Sequence, residues 1–261
     1  IFDYWNDLNQ NERRALYNQA SRIDFDALEL AVRSFQAGTT QVDLFDIKPG
    51  HAEILSDNDK IQARVLGEQA THNGKVCALV LAGGRGTRLG YSSPKGTFPV
   101  GPVSGTSLFA WFAEKLHFLH DYYQVPIRWL VMTSPATDED TRAYFRKCNY
   151  FGLGEENIYF FPQGTLPMID TQGKILMDAT WRFCESPDGH GGVISALEKH
   201  GLLEEMDRLG VDHLFIHNVD NCMVKLLDPE FVGYHIQTGA DLSLKCLARS
   251  SPIETLGTLV T

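Results

Sequence analysis

The sequence VCALVLAGGRGTRLGYSSPKG, residues 76–96, changes character after its seventh residue. The first seven residues are all apolar, which is typical of a strand that is buried on both faces. The remainder contains five glycines, two arginines and one lysine. In open α/β sheets, ligands bind beyond the carboxyl ends of the strands. We therefore predict a buried strand over 76–82 that leads directly into a ligand-binding loop.

From residue 75 onward, apolar runs of strand length alternate with amphipathic segments of helix length. The predicted strands are 76–82, 127–133, 158–161, 213–219, 242–248 and 257–261. Between them, apolar residues recur at helical spacing over 108–119 and, as one helix face, over 194–206. This alternation predicts the α/β class, a Rossmann-like α/β/α sandwich around a mostly parallel central sheet.

The first seventy or so residues predict helices without strands. Apolar positions follow the helical period over 5–16 and 25–35, and Asp24 is a suitable N-cap for the second helix. Residues 56–72 predict a third helix. We therefore predict an N-terminal helical segment over 1–74 and an α/β domain over 75–261.

Charge and cysteine usage exclude several classes of function. The 261 residues contain 23 Lys and Arg against 33 Asp and Glu, a formal net charge of -10, which disfavours a nucleic-acid partner. The five cysteines form no CxxC pair, so neither a zinc knuckle nor a disulfide framework is indicated. No apolar run reaches the ~18 residues that a membrane span needs. We expect a cytoplasmic protein with no membrane partner.

Two common phosphate-binding motifs do not fit the glycine-rich segment. A P-loop needs GxxxxGK[ST], and that ending is missing here. The dinucleotide fingerprint GxGxxG also fails, because Leu89 stands where the third glycine belongs when the count starts at Gly84. What remains is GGxGTRLG followed by Pro-Lys, which places the cations Arg88 and Lys95 seven residues apart.

Arg88 and Lys95 can flank a polyphosphate at this spacing. Attack on the α-phosphorus of a nucleoside triphosphate accumulates negative charge on oxygens, which an arginine fork and a lysine neutralise without supplying a proton. We therefore predict that these two residues are catalytic. The alternative is that the glycines only form a tight turn and both cations face solvent.

Several ordered motifs resemble one family of nucleotidyltransferases. LAGGRGTRLG with the PKG that follows, FFPQGTLP at 160–167, SPDGHGG at 186–192, VDNCMVKLLDPEFVGY at 219–234 and GAD at 239–241 are similar to segments of the eukaryotic-type UDP-N-acetylhexosamine pyrophosphorylases and their UDP-glucose and UDP-sugar pyrophosphorylase relatives. The resemblance covers nearly the whole chain. It implies a GT-A-like nucleotidyltransferase fold whose catalytic domain continues beyond residue 261.

The resemblance also implies roles for individual positions. The implied nucleotide-binding residues are Leu81, Ala82, Gly83, Gly84, Gly86, Thr87, Gln163, Pro167 and Gly189. Within this set the backbone of 81–84 and the Gln163 side chain match positions that recognise the uracil. Lys95 matches the lysine on the phosphates, and Asp220 matches a carboxylate that holds Mg²⁺.

Asp220 is also a candidate metal ligand on its own chemistry. It ends the apolar run HLFIHNV, where a parallel sheet opens its ligand crevice, and a carboxylate there suits a hard cation. The alternative is that Asp220 caps the next helix, with help from Asn221.

His190 departs from the acetylhexosamine pattern, in which an asparagine contacts the sugar. The UDP-glucose relatives carry GHGD, so DGHGG mixes the two types. We predict that His190 binds the sugar, since a neutral imidazole both donates and accepts hydrogen bonds. The pairs His117 and His120, and His213 and His217, lack a third ligand in spacing and favour ordinary histidines over zinc.

The resemblance implies that UTP and a sugar 1-phosphate give a UDP-sugar and pyrophosphate, most simply with N-acetylhexosamine 1-phosphate. UDP-glucose or broad UDP-sugar synthesis is the first alternative. A non-catalytic nucleotide-sugar-binding protein is the second, and a sugar-phosphate kinase is the third. Mg²⁺ is the expected cofactor, and the sequence leaves the oligomeric state open.

Overall fold

The computed structural model describes residues 2–37, 48, 50, 52–251, 253 and 254. Contacts divide the chain into two compact units. The sheet unit comprises Ile54–Gly164 and Gly189–Cys246. The hairpin unit comprises the described parts of Ile1–Glu53, Thr165–Asp188 and Leu247–Thr261. The units therefore interleave along the chain, whereas the predicted boundary between residues 74 and 75 is a single cut.

Eight α-helices and eight strands are present in the described residues. The helices are α1 (Gln10–Ala20), α2 (Phe25–Gln36), α3 (Asp57–His72), α4 (Leu108–Tyr123), α5 (Asp138–Lys147), α6 (Val193–Lys199), α7 (Leu202–Arg208) and α8 (Pro229–Thr238). The strands are β1 (Val76–Leu81), β2 (Trp129–Thr133), β3 (Ile158–Pro162), β4 (Thr165–Pro167), β5 (Met177–Ala179), β6 (Arg182–Phe183), β7 (Glu185–Pro187) and β8 (His213–Asn218). No described helix is both long and apolar enough to cross a membrane.

The sheet unit contains a four-stranded parallel sheet in the order β3-β2-β1-β8. Strand β1 lies inside the sheet, and Ala78 stands between Trp129 of β2 and Phe215 of β8. Both faces of β1 are buried, which explains why its sequence is apolar throughout rather than alternating. The predicted parallel α/β fold is confirmed.

Helices cover both faces of this sheet. Alternate residues of β1 and β2 point to opposite sides, so Val80 and Val131 join one apolar cluster with α4 and α5. Leu79 and Leu130 join the other cluster, with α6 and α7. The first cluster contains the aromatic side chains Phe109, Phe112, Trp129 and Phe145.

Helix α3 packs directly against α8 through two glycines. A Cβ at Gly67 would lie 2.1 Å from the carbonyl oxygen of Pro229, and a Cβ at Gly233 would lie 1.6 Å from that of Ala63. Only glycine permits so close a crossing of two helix backbones. This contact places α3 in the sheet unit, although the sequence assigned it to the N-terminal segment.

The hairpin unit packs α1 against short antiparallel strands. Leu8, Leu16, Ala20 and Phe183 form its buried cluster, and the Phe183 N–H donates to the side chain of Gln19 at 3.0 Å. Asp24 caps α2, because its carboxylate accepts from the N–H of Ala27. The predicted N-cap is confirmed.

Two predicted elements are wrong, and a third lies outside the described residues. Residues 242–248 form no strand, and Leu242 is 74% exposed. Two side-chain contacts hold this segment instead: Ser243 contacts His235 of α8, and Lys245 contacts Asp228 at the N-cap of α8. The single helix predicted over 194–206 is two helices, because Gly201 is left-handed at φ 68° and interrupts it. The predicted strand 257–261 is not described.

Candidate active site

A cavity of about 410 Å³ opens at the carboxyl ends of the four parallel strands. Each strand contributes to its wall, either at its last residues or just after them. Eleven of the thirteen predicted site residues line it: Leu81, Gly83, Gly84, Gly86, Thr87, Arg88, Lys95, Gln163, Gly189, His190 and Asp220. The sheet therefore brings together residues that lie up to 139 positions apart in the sequence.

Ala82 and Pro167 do not line this cavity. Ala82 is completely buried, and its N–H donates to the carbonyl of Met132 at 2.8 Å, continuing the sheet. Pro167 belongs to the hairpin unit, where it pairs with Glu185 across β4 and β7. The nucleotide-binding roles of both residues stay predictions from the resemblance.

The glycine loop, residues 83–97, follows β1 and folds back on itself through its own backbone. The Lys95 N–H donates to the Gly84 carbonyl at 3.0 Å, and the Gly86 N–H donates to the Ser93 carbonyl at 3.2 Å. These bonds return Lys95 to the start of the loop. Its position beside the cavity is therefore set by local hydrogen bonds.

The glycines of this loop serve different purposes. A Cβ at Gly83 would lie 2.8 Å from the Gln163 amide, and one at Gly86 would lie 2.9 Å from Tyr91, so both are needed for internal packing. A Cβ at Gly84 would meet nothing within 4 Å. Gly84 lines the cavity, so a side chain there would enter open space at the cavity rather than contact the protein.

Lys95 and Asp220 form an ion pair at the edge of the cavity. Nζ of Lys95 lies 2.6 Å from Oδ2 of Asp220, and the two side chains are 26% and 59% exposed. Asp220 does not cap a helix, because the next helix, α8, begins nine residues later and has Asp228 at its N-cap position. The helix-cap alternative for Asp220 is excluded, and Lys95 faces the cavity rather than open solvent.

Arg88 lies on a 3-10 turn, Thr87–Leu89, within the glycine loop. It lines the same cavity as the ion pair and makes no hydrogen bond or ion pair with any residue that the structure describes. Its guanidinium is therefore available to an anionic ligand. A cation that is not neutralised by the protein attracts phosphate more strongly than one that is already paired.

The sequence analysis missed five residues that line the cavity, namely Arg85, Leu89, Met132, Asn218 and Val219. Arg85 is the most informative of them. Its guanidinium donates to the carbonyls of Ser92 at 2.9 Å and Ala136 at 2.7 Å, which ties the glycine loop to the segment after β2. Its position between two glycines was visible in the sequence, but its acceptors come from tertiary contacts.

Gln163 and the Gly189–His190 pair complete the wall. Gln163 is 8% exposed, and its N–H continues the sheet by donating to the Thr133 carbonyl at 2.9 Å. Gly189 has φ 77°, a conformation that favours glycine, and it turns the chain into the short helical turn that His190 begins. His190 is exposed at the cavity, where it can reach a ligand.

The paired histidines have structural environments. His117 and His120 each contact a main-chain carbonyl, that of Phe151 at 2.7 Å and that of Val125 at 3.1 Å. Burial lowers the pKa of His217 to about 4, so this imidazole is neutral at pH 7. Among the residues that the structure describes, no three His, Cys, Asp or Glu side chains group as a metal site.

The fold and the cavity together define a class of protein. A parallel sheet with a glycine loop, two cations and a carboxylate at its carboxyl edge is the arrangement expected of a nucleotidyltransferase. The chain belongs to the family described as UTP--glucose-1-phosphate uridylyltransferase (UDPGP), whose sequence model matches residues 25–261. The resemblance in the sequence motifs is confirmed.

Individual relatives are similar over the whole chain. It is 36% identical to the UDP-N-acetylglucosamine pyrophosphorylase of Saccharomyces cerevisiae and 35% identical to the UDP-N-acetylglucosamine diphosphorylase 1 of Arabidopsis thaliana, in each case over 100% of this chain. It covers 58% and 54% of those proteins. The chain therefore spans about half the length of the curated relatives that it matches.

A solved structure shows the same fold. The uridine diphosphate N-acetylglucosamine pyrophosphorylase of Trypanosoma brucei, crystallised in complex with an inhibitor, superimposes with a TM-score of 0.75 and 30% identity. The superposition covers 89% of this chain and 50% of that one. A UDP-N-acetylglucosamine pyrophosphorylase structure from Entamoeba histolytica gives a TM-score of 0.68 at 34% identity, over 74% of this chain and 50% of that one.

Proposed function

We propose that this chain carries the UTP-binding and phosphoryl-activating part of a UTP:sugar-1-phosphate uridylyltransferase. The reaction joins UTP to a sugar 1-phosphate and releases pyrophosphate and a UDP-sugar. The observation that carries the proposal is that Arg88, Lys95 and Asp220 line one cavity beside a glycine loop. Family membership supports the reaction class.

The proposed chemistry needs charge stabilisation rather than proton transfer. The sugar phosphate is already an anionic nucleophile, so no general base is required. An oxygen of that phosphate attacks the α-phosphorus of UTP, and the bond to the pyrophosphate oxygen breaks on the opposite side. Arg88 and Lys95 neutralise the charge that develops on the phosphoryl oxygens, and no covalent enzyme intermediate forms.

Mg²⁺ is the cofactor that we propose, with Asp220 as its protein ligand. One carboxylate beside the phosphates fits this ion, since Mg²⁺ is commonly held by one or two carboxylates plus substrate phosphates. When bound, the ion supplies charge neutralisation and orientation of the phosphates. In the free chain Oδ2 of Asp220 pairs with Lys95, so the phosphates of UTP would compete with this carboxylate for the lysine.

N-acetylhexosamine 1-phosphate is the sugar substrate that we propose. The relatives described above are named for UDP-N-acetylglucosamine, and His190 at the cavity supplies both a donor and an acceptor to a sugar. The glucose alternative rests on the same histidine, which the sequence shares with the UDP-glucose type. A cytoplasmic location stays a prediction from composition.

A pyrophosphate-release assay tests the proposal. UTP and Mg²⁺ are combined with N-acetylglucosamine, N-acetylgalactosamine or glucose 1-phosphate, and the expected product is pyrophosphate with an N-acetylhexosamine preferred. Release of UDP instead of pyrophosphate would identify a kinase. UTP binding without any product from the natural full-length protein would identify a nucleotide-sugar-binding protein.

A further inference from the structure

Helix α4 contacts both segments that supply charged groups to the cavity. One segment is the glycine loop, which carries Lys95. The other is the Asp220 turn, residues 218–224, which follows β8. None of the α4 residues lines the cavity, so the helix supports the site from behind.

The first contact is made where the glycine loop ends. The ring of Phe109 lies so close to Gly96 that a Cβ there would be 2.1 Å from it. The Leu108 N–H also donates to the carbonyl of Phe98 at 3.1 Å. The first turn of α4 therefore fixes the backbone immediately after Lys95.

The second contact is made one to two turns further along α4. Nε1 of Trp111 donates to the Cys222 carbonyl at 2.9 Å, and Nζ of Lys115 donates to the same oxygen at 2.6 Å. Lys115 also donates to the Val224 carbonyl at 2.8 Å. Because the Cys222 N–H in turn donates to the Asp220 carbonyl at 3.0 Å, these bonds reach the backbone of the carboxylate residue.

Lys115 is committed to this turn rather than to a carboxylate. It forms no ion pair with any described residue, and its ammonium lies 5.9 Å from the centres of the Trp111 and Phe112 rings. Burial lowers the pKa of Lys115, and two main-chain carbonyls compensate the desolvated charge. Lys115 therefore links α4 to the Asp220 turn. We call this link, together with the hydrogen bond from Trp111, the brace.

Asp220 depends on this brace because its own side chain has little support. Its carboxylate is more than half exposed and contacts Lys95. The direction in which the carboxylate points is consequently set by the backbone of the turn. A displacement of 1 Å in such a group is enough to reduce a reaction rate about 100-fold.

We propose that Lys115 and Trp111 are positioning residues, which hold the Asp220 turn on the same helix that fixes Lys95 and thereby set the separation of the two charged groups. The inference rests on the proposed function, since that function makes Asp220 the residue that would hold Mg²⁺. It adds two residues that touch neither substrate nor ion and that act through Cys222 and Val224.

The test compares metal binding by Lys115→Met, Lys115→Arg, Trp111→Phe and the wild-type chain, with Mn²⁺ as the probe. Free Mn²⁺ is measured by electron paramagnetic resonance in the presence of UTP, and UTP binding without metal is measured by calorimetry. Lys115→Met keeps the side-chain stem and removes the donors. We expect its Mn²⁺ affinity to fall about tenfold, as for other residues that orient a metal ligand.

Four further measurements distinguish a positioning role from general destabilisation. Metal-free UTP affinity of Lys115→Met stays within about twofold of the wild type, and Lys115→Arg recovers most of the Mn²⁺ affinity because a guanidinium also donates to two carbonyls. Trp111→Phe weakens Mn²⁺ binding about threefold, since it removes one of the three hydrogen bonds to the turn. Lys147→Met, at an exposed lysine at the end of α5, matches the wild type in every measurement.

Unchanged Mn²⁺ affinity in Lys115→Met would overturn the inference while leaving the proposed function intact. A wild-type chain that binds no UTP, with or without Mn²⁺, would instead contradict the proposed function. If circular dichroism shows that Lys115→Met does not fold, Trp111→Phe and Lys115→Arg decide the matter. A Mn²⁺ affinity of Trp111→Phe equal to that of the wild type would then overturn the inference.

Discussion

The glycine loop and the Asp220 turn meet in one cavity, but they are held in place by different parts of the chain. The glycine loop is closed by hydrogen bonds between its own residues, such as Lys95 to Gly84. The Asp220 turn is braced by Trp111 and Lys115, which lie 111 and 107 residues from the carbonyl that they share. The structure of a loop that its own residues close can be predicted from a short motif. The position of a turn that a distant helix holds cannot be predicted in this way.

This difference predicts how the two regions respond to substitution. Changes inside the glycine loop should act on a ligand or on close local packing. Changes that affect β8 and its turn should act through the buried layer between the sheet and α4. The following experiments test that contrast, beginning with the largest expected effect.

Removal of the Arg88 guanidinium is expected to have the largest effect, and it should be confined to ligand and turnover. Loss of one such charge-stabilising donor lowers turnover about 10²–10³-fold. Because Arg88 contacts no described residue by hydrogen bond or ion pair, the midpoint of thermal unfolding of Arg88→Ala should match the wild type. Two measurements check these expectations. Pyrophosphate release by the natural protein with Arg88→Ala measures turnover, and calorimetry of the variant measures its unfolding midpoint. A lowered unfolding midpoint would show that Arg88 supports the loop itself.

Low pH is expected to destabilise the packing of β8 against α4, because it favours protonation of His217. The imidazole packs on Phe112 with ring centres 4.6 Å apart, and its Nε2 has no hydrogen-bond partner among the described residues. Burial, with a smaller contribution from the charge of Lys115, lowers the pKa of His217 from 6.5 to about 4. The unfolded chain therefore binds this proton more readily than the folded chain does, so stability is lost as pH falls from about 6.5 toward 4.

The size of this loss is about 3 kcal/mol between pH 7 and pH 4, from a shift of roughly 2.5 pKa units. Urea denaturation at both pH values measures it, and His217→Leu should lose correspondingly less stability than the wild type. His200→Leu, at an exposed histidine after α6, should follow the wild type and serves as the control. Equal pH dependence in His217→Leu and the wild type would assign the acid sensitivity to other groups.

Two glycines of the loop should behave differently when each is replaced by alanine. Gly96→Ala forces a Cβ toward the Phe109 ring and is expected to lower the free energy of unfolding by about 2 kcal/mol. Gly84→Ala meets no atom within 4 Å and should change stability by less than about 0.5 kcal/mol.

For UTP binding we expect the reverse order, with the larger effect in Gly84→Ala. Gly84→Ala should weaken UTP binding while it leaves stability unchanged, because its Cβ projects into the space proposed for the ligand. Urea denaturation and UTP calorimetry of both variants make the comparison. Full UTP affinity in Gly84→Ala would remove this glycine from the binding site.

The smallest expected effect is the contribution of the Lys95–Asp220 ion pair to stability. Both side chains are partly exposed, so solvent and salt screen their attraction, and the pair should contribute less than about 1 kcal/mol. A double-mutant cycle of Lys95→Met and Asp220→Asn, by urea denaturation at low and high salt, measures the coupling. A larger coupling that persists in high salt would make the pair a structural element rather than a functional one.

Local patterns predicted the sheet because its four strands lie in apolar runs that are separated by clear helix signals. They were insufficient at 242–248, where the composition is typical of a strand but the segment makes side-chain contacts to Asp228 and His235 and pairs with no strand in the part of the chain that the structure describes. The apolar pattern also did not reveal the break at Gly201, whose left-handed backbone divides the predicted single helix into two. Arg85 was visible within the loop, but its acceptor on the segment after β2 could not be inferred.

The sequence by itself determined the parallel sheet, the glycine loop and most of the residues around the cavity. The sheet and the loop follow from apolar runs and from a short motif whose residues interact within a few positions, whereas most of the residues around the cavity were implied by the resemblance to the pyrophosphorylase family. Only the tertiary structure decided that Lys95 and Asp220 meet at 2.6 Å and that Trp111 and Lys115 stand behind them. The physical reason is that the separation of two groups 125 positions apart depends on how β1, β8 and α4 pack, and no local pattern encodes that packing.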